Sequence, residues 1–218
     1  MSNTRRFLAP VLLTLLAAGA IALSFLLDAP LEGLVLQANG GHWSTSRAIA
    51  LLSRYGDWPE LMLLGGAGFL LARKLRNVRW QRILLSAMIA STLAGMAVNA
   101  SRLTTGRTRP RVAEQGWYGP RHDGKWLIGM ADFNSFPSGH TATAMGFAGV
   151  ILFAAPPWGV VALVCAGSVA LARILLGAHH PSDVVSASVL ALVLAWFVWE
   201  FLGRRGRVDG PVRGEITR

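Results

Sequence analysis

Long uncharged apolar runs alternate along this chain with short clusters of charge. Residues 7–27 form an uncharged run of 21 behind Arg5 and Arg6, enough for a helix to cross a hydrocarbon core of about 30 Å. A second run is strictly apolar over 61–72 and begins near Trp58, and a third covers 83–100. From His140 to Ala172 no Asp, Glu, Lys or Arg occurs. That length predicts two helices, with Pro156 and Pro157 marking the turn between them. Residues 184–199, continuing through Leu202, make the sixth. A secretory signal would share the basic start and apolar middle of the first run, but the run continues past the small residues at 17–20 and more spans follow, which predicts an uncleaved anchor. The expected fold is all-α: a polytopic membrane protein with six transmembrane helices in residues 1–202 and a basic, disordered cytoplasmic tail at 203–218. Glycines at 65, 66, 68, 95, 146, 149 and 167 would let helix backbones approach closely in lipid.

Composition sharpens this picture. Hydrophobic residues make up 53% of the 218 positions and charged residues 15%, against about 25% charged in ordinary globular domains. A soluble domain is excluded on that basis. The net charge of +10 would in a soluble protein suggest nucleic acid, but many basic residues flank apolar runs, where they meet anionic headgroups and set topology. No nucleic-acid motif accompanies them, so the expected partner is the bilayer. With the N-terminus inside, the inner segments carry 12 Lys and Arg in 36 positions and the outer ones 9 in 81. That asymmetry predicts cytoplasmic N- and C-termini; the expected location is the cell (inner) membrane. The lone Cys165 excludes an intrachain disulfide and a cysteine metal site.

Alternating spans bring three polar groupings to one face. In 102–110, Arg102 and Arg109 stand seven apart, about two helical turns, so a persisting helix would present both guanidinium groups on one side to phosphate oxygens. The competing reading is snorkelling to headgroups. In Phe136-Pro137-Ser138-Gly139-His140-Thr141 a helix start offers free N–H groups and a serine hydroxyl to an anion, beside His140; a plain capped helix start is the alternative. In 172–183, Arg173, His179, His180 and Asp183 crowd a membrane boundary, where unpaired charge is costly. Asp183 stands four residues after His179 and can orient an imidazole, yet His180 competes for the same carboxylate, and geometry alone leaves open which histidine reacts.

Together these motifs resemble the signature of the type 2 phosphatidic acid phosphatase (PAP2) superfamily: Lys-x6-Arg-Pro, Pro-Ser-Gly-His, and Ser-Arg-x5-His-x3-Asp. The second matches fully; the first has Arg102 for lysine and the third Ala172 for serine. The resemblance implies a metal-independent membrane phosphatase without cofactor, with its site at the extracytoplasmic ends of helices 3 to 6. It implies His179 as nucleophile, Asp183 as the group holding its ring, His140 as proton donor, and Arg102, Arg109, Ser138, Gly139 and Arg173 as phosphate ligands. Placement at the boundary suits a lipid phosphate whose tail stays in the bilayer. Undecaprenyl diphosphate is the first expectation. Phosphatidylglycerophosphate, phosphatidic acid and lipid A phosphates, or phosphotransfer to another lipid, are the alternatives. A transporter or a noncatalytic lipid-binding protein is the non-enzyme reading. The segment 111–136, with Trp117, Tyr118, Lys125 and Trp126, is expected to form a lid or headgroup filter, the competing reading being a belt of interfacial aromatics.

Overall fold

The computed structural model describes residues 3–203; the expected basic tail, from 204 on, lies outside them. Eight α-helices dominate: α1 (Asn3–Leu26), α2 (Asp28–Ala38), α3 (Arg47–Arg54), α4 (Trp58–Lys74), α5 (Val78–Thr105), α6 (Gly139–Ala154), α7 (Pro156–Leu175) and α8 (Pro181–Val198). A wider helical turn, Trp199–Gly203, extends α8, so Gly203, expected in the tail, is buried against the body.

At the centre stands α6, in contact with α4, α5, α7 and α8. Its residues are apolar or small on every side, the pattern of a helix with no solvent face. Gly146, Gly149, Ala142 and Ala144 let its neighbours come close: a Cβ on Gly149 would sit 2.8 Å from that of Ala195. Facing it, Ala187, Ala191 and Ala195 recur every fourth residue of α8, and Ala90 and Ala94 of α5 do the same; all five are fully buried. Small-residue seams of this kind replace the hydrophobic drive that is missing between helices in lipid. The outer surface is apolar: Leu12, Leu13, Leu63, Leu70, Val160 and Val164 are all exposed, as a lipid-facing belt requires.

Among the described residues, α5, α7 and α8 with its extension are long and apolar enough to cross a membrane, and α1 with α2, bent by 53°, makes a fourth candidate. The two remaining expected spans are shorter, 17 residues in α4 and 16 in α6. The chain is an integral membrane protein.

Two short helices occupy what the sequence presented as an outer loop. Asp28 opens α2 immediately after the first span, and α3 packs on α7. Residues 111–136 hold a small hairpin, β1 (Arg121–His122) with β2 (Lys125–Trp126), turning at Asp123 and Gly124, both at positive φ. This is the Asp-Gly turn that favours a two-residue hairpin.

The expectation that Arg102 and Arg109 share one helix face is not met. Gly106, at φ 54°, ends α5 one residue after Thr105, and a Cβ there would lie 1.9 Å from the carbonyl oxygen of Gly119. The chain therefore leaves the helix before Arg109.

Packing of α6 on α8 should be intolerant of added volume. Gly149→Val is expected to lower stability by about 1–3 kcal/mol, typical of overpacking, whereas Gly66→Ala, with no atom within 4 Å of its Cβ, should not lower it and can raise it by up to about 1 kcal/mol through helix propensity. Thermal unfolding of the detergent-solubilised protein compares them.

Candidate active site

Chain direction places the C-terminal ends of α5 and α7 and the N-terminal ends of α4, α6 and α8 at one end of the bundle. The three polar groupings meet there. Asp183, in the first turn of α8, is wholly buried and accepts hydrogen bonds from Arg107 Nη1 (2.6 Å), the Ser135 hydroxyl (2.5 Å) and the backbone N–H of His180 (2.8 Å). A buried carboxylate needs such compensation to stay ionised.

His179 lies in the turn after α7 that Gly177 permits at φ 59°. A Cβ on Gly177 would press to 2.4 Å from the Trp43 ring, so the glycine also makes room for the segment between α2 and α3. His179 is 1% exposed. Its Nδ1 lies 2.7 Å from the Ser135 carbonyl oxygen and 3.6 Å from Asp183 Oδ2. A carbonyl can only accept, so Nδ1 carries the proton and Nε2 keeps its lone pair. Asp183 shares this nitrogen with a second group: the Ser135 carbonyl makes the shorter contact, while the Ser135 hydroxyl donates to Asp183. Burial pulls the His179 pKa down to about 3, with Arg173 and Arg102 acting in the same direction and Asp183 opposing. The ring is neutral at physiological pH.

His180 is held quite differently. Its Nδ1 meets the Glu32 carboxylate at 2.5 Å and its Nε2 the Thr108 carbonyl at 3.0 Å. Burial pulls its pKa down, but Glu32 and Asp183 outweigh that and the net shift is upward. Both nitrogens face acceptors, so this ring has no free lone pair.

His140, second residue of α6, stands with Nε2 3.6 Å from Asp57 Oδ2. Ser138 is buried at the N-cap of α6, where its hydroxyl accepts from Thr141 (2.9 Å). The first N–H groups of α6 have no partner within the helix. Arg102 leans over that helix start: its Nε donates to the Pro137 carbonyl (2.9 Å) and Nη1 to Asn99 (3.3 Å). A Cβ on Gly139 would lie 3.1 Å from Arg102 Nη2. Arg173, in the last turn of α7, donates through Nη1 to Ser53 (2.9 Å). Among the described residues, the buried side-chain nitrogens without a hydrogen-bond partner are Arg109 Nε and Arg173 Nε. Unsatisfied guanidinium donors at such a place suit an anion. Burial and the neighbouring Arg111 charge pull Arg109 below the ordinary arginine pKa. No group of three or more His, Cys, Asp or Glu among the described residues is arranged to hold a metal.

The three motifs, read by spacing, do not single out Arg107. It is 7% exposed and bridges Asp183 to Asp28 Oδ2 (2.7 Å), with its guanidinium centre 4.7 Å from the Trp117 ring and 5.4 Å from that of Phe25. Asp28 also accepts from the Ser182 N–H (2.8 Å) and hydroxyl (2.6 Å). Asp28 did carry a signal: a carboxylate directly after an uncharged span must be paired. Ser135, Glu32 and Asp57 carried none.

The profile of the PAP2 superfamily matches residues 81–207. The chain belongs to the PAP2 superfamily. It is a membrane phosphatase of that type, and the transporter and noncatalytic readings fall away. It is 29% identical over 195 residues to a lipid A 1-phosphatase of Rhizobium etli, covering 82% of this chain and 77% of that one. The fold is similar to the crystal structure of Aquifex aeolicus LpxE, with TM-score 0.53 and 17% identity over 80% of this chain and 96% of the other. It is also similar to a transmembrane PAP2 type phosphatidylglycerolphosphate phosphatase from Bacillus subtilis, with TM-score 0.51 and 18% identity over 88% and 98%. In this PAP2 protein the aromatic residues of 111–136 divide: Tyr118 packs on His122 and Phe133, whereas Trp117 and Trp126, beside Arg107 and Arg121 respectively, both stay exposed.

Arg107→Leu would leave Asp28 and Asp183 buried without their shared cation. A loss of about 3–5 kcal/mol is expected, as for other broken buried pairs, read by denaturation, whereas Arg111→Ala, whose exposed pair with Asp132 spans 3.3 Å, should change stability by less than about 1 kcal/mol.

Proposed function

We propose that the protein removes phosphate from a membrane lipid by way of a phosphohistidine. The observation that carries this reading is His179: a neutral, buried imidazole with Nδ1 tied to the Ser135 carbonyl and Nε2 left basic, at the same end of the bundle as guanidinium nitrogens that lack partners. His179 Nε2 attacks phosphorus, the N–P bond forms, and the P–O bond to the leaving group breaks. His140 gives the departing oxygen its proton. Asp183, 3.6 Å from Nδ1, stabilises the positive charge that the ring acquires. Water then attacks the phosphohistidine with His140 as base, and inorganic phosphate leaves.

Arg102, Arg109 and Arg173, the Ser138 hydroxyl and the Gly139 N–H hold the phosphoryl oxygens. They offset the charge that spreads over them in the transition state. Replacing the family lysine by Arg102 keeps the positive charge and supplies a planar fork.

The substrate reading follows the relatives. A lipid A 1-phosphatase as similar as that of Rhizobium etli supports the 1-phosphate of lipid A, one of the alternatives the sequence left open. Nothing among the relatives supports undecaprenyl diphosphate. We read six crossings, α1 and α4 to α8, with both termini cytoplasmic and the site at the outer face of the inner membrane. The density of basic residues in the inner segments supports that orientation. Helices α4 and α6, near 25 Å long at 1.5 Å per residue, are short for a full crossing, which suits a polar site sunk slightly below the boundary.

His179→Ala is expected to abolish phosphate release from lipid A. His180→Asn should keep measurable turnover, because its ring has no free nitrogen to attack with. His140→Ala should lower kcat by about 10²–10⁴, the usual worth of a positioned acid-base group. Phosphate release by the purified variants decides this, and an active His179→Ala protein would reject the mechanism. Vanadate should inhibit the wild type and chelators should not, since the charge around phosphate comes from guanidinium groups. Dependence on added metal would overturn that assignment.

A further inference from the structure

A cavity of about 360 Å³ opens beside the site between α4, α5 and α6, within the size range of pockets for small organic molecules. His140, Arg102 and Gly139 line it, and His179 does not. In-line transfer puts the departing oxygen opposite the nucleophile and within reach of the proton donor. If His179 attacks and His140 protonates, the leaving group must occupy the space on the His140 side. The cavity is that space.

Its walls have a definite chemistry. The Asp57 carboxylate, half exposed, accepts the Trp58 N–H through Oδ1 (2.9 Å), and its Oδ2 stands 3.6 Å from His140. Asn99 is bound through its oxygen to Arg102, which leaves its amide hydrogens to donate. The Trp58 indole is fixed by a hydrogen bond from Nε1 to Thr92 Oγ1 (2.9 Å) and keeps nearly half its surface open. From Asn99 to Thr92 the slot follows two turns of α5, about 10 Å at 1.5 Å per residue, toward the depth of the lipid tails. A rigid aromatic plate, a carboxylate acceptor and an amide donor suit a ring bearing hydroxyl or amide groups. With Arg102, which also lines the slot, committed to the transferred phosphoryl group, the Asp57 carboxylate is the group that faces the leaving group and would repel a second phosphate there.

We infer that this slot is a leaving-group subsite which takes a pyranose-like, hydroxylated ring and disfavours a diphosphate, with Asp57 as the residue that discriminates between them. The inference rests on the phosphatase reading above and deepens it. In the balanced step, the sugar oxygen takes the His140 proton as the P–O bond breaks, and the released hemiacetal remains hydrogen-bonded to Asp57. A site built to hold such hydroxyls loses most when the substrate lacks them.

The test compares wild type with Asp57→Asn on three substrates in detergent micelles: a lipid-linked hexosamine 1-phosphate, a prenyl diphosphate and phenyl phosphate, which offers the slot no hydroxyl. Asn caps a helix as well as Asp, so α4 is preserved. The wild type is expected to prefer the sugar phosphate over the prenyl diphosphate in kcat/KM. Asp57→Asn should lower kcat/KM for the sugar phosphate about tenfold relative to phenyl phosphate, mainly through KM, and raise that for the prenyl diphosphate relative to it. A parallel fall in kcat on all three would mean that Asp57 acts through His140, and would overturn the subsite, as would no change on any. Wild-type protein inert on all three would instead overturn the phosphatase reading, and the subsite with it.

Discussion

The structure at this end of the bundle depends on the buried charge of Asp183. A carboxylate with no solvent exposure is tolerable only if hydrogen bonds and an opposite charge replace its hydration. Arg107, Ser135 and the His180 N–H do so, and each of those bonds fixes something further. Arg107 carries the second carboxylate, Asp28, and so ties α2 to the start of α8. Ser135 uses its hydroxyl on Asp183 and its carbonyl on His179, which sets the ring's tautomer. The N–H of His180 fixes the turn between α7 and α8.

The arginines divide by environment. Arg107 sits between two carboxylates and two aromatic rings, so its charge is used within the protein. Arg109 and Arg173 each keep a buried nitrogen without a partner, and Arg102 is bound only to a carbonyl and an amide oxygen. Positive charge with no carboxylate hydrogen-bonded to it is what a phosphate dianion requires. Two adjacent histidines divide in the same way: His180 is locked between Glu32 and a backbone carbonyl, and His179 keeps one nitrogen free.

Below this polar end the bundle is held by close approach of small residues. Alanines and glycines on α5, α6 and α8 bring backbones together where larger side chains could not fit. Their effect on the site is indirect but physical: α6 must sit close to α5 and α8 for Arg102 to reach Gly139 and for the Ser138 N–H to reach the Asp183 carbonyl at 3.2 Å.

Several features were legible in the sequence because they are local. The length of an apolar run fixes whether a helix can cross lipid, and Pro156 fixes where α6 gives way to α7. Spacing brings His179 and Asp183 within one turn. The motifs around Arg102, Ser138 and Arg173 carried the PAP2 family. Spacing did not reveal that Arg109 would arrive from a loop: the helix stops at Gly106, where the Gly119 carbonyl, thirteen residues on, leaves no room for a Cβ. Nor did residue spacing alone reveal which histidine keeps a free nitrogen, although the family motif pointed to His179. That choice is made by Glu32, 148 residues from His180, and by Ser135, 44 residues from His179. Asp28 meets Ser182 across 154 residues. Hydrogen bonds between such distant segments leave no period or spacing in the chain, so only the packed bundle could decide them.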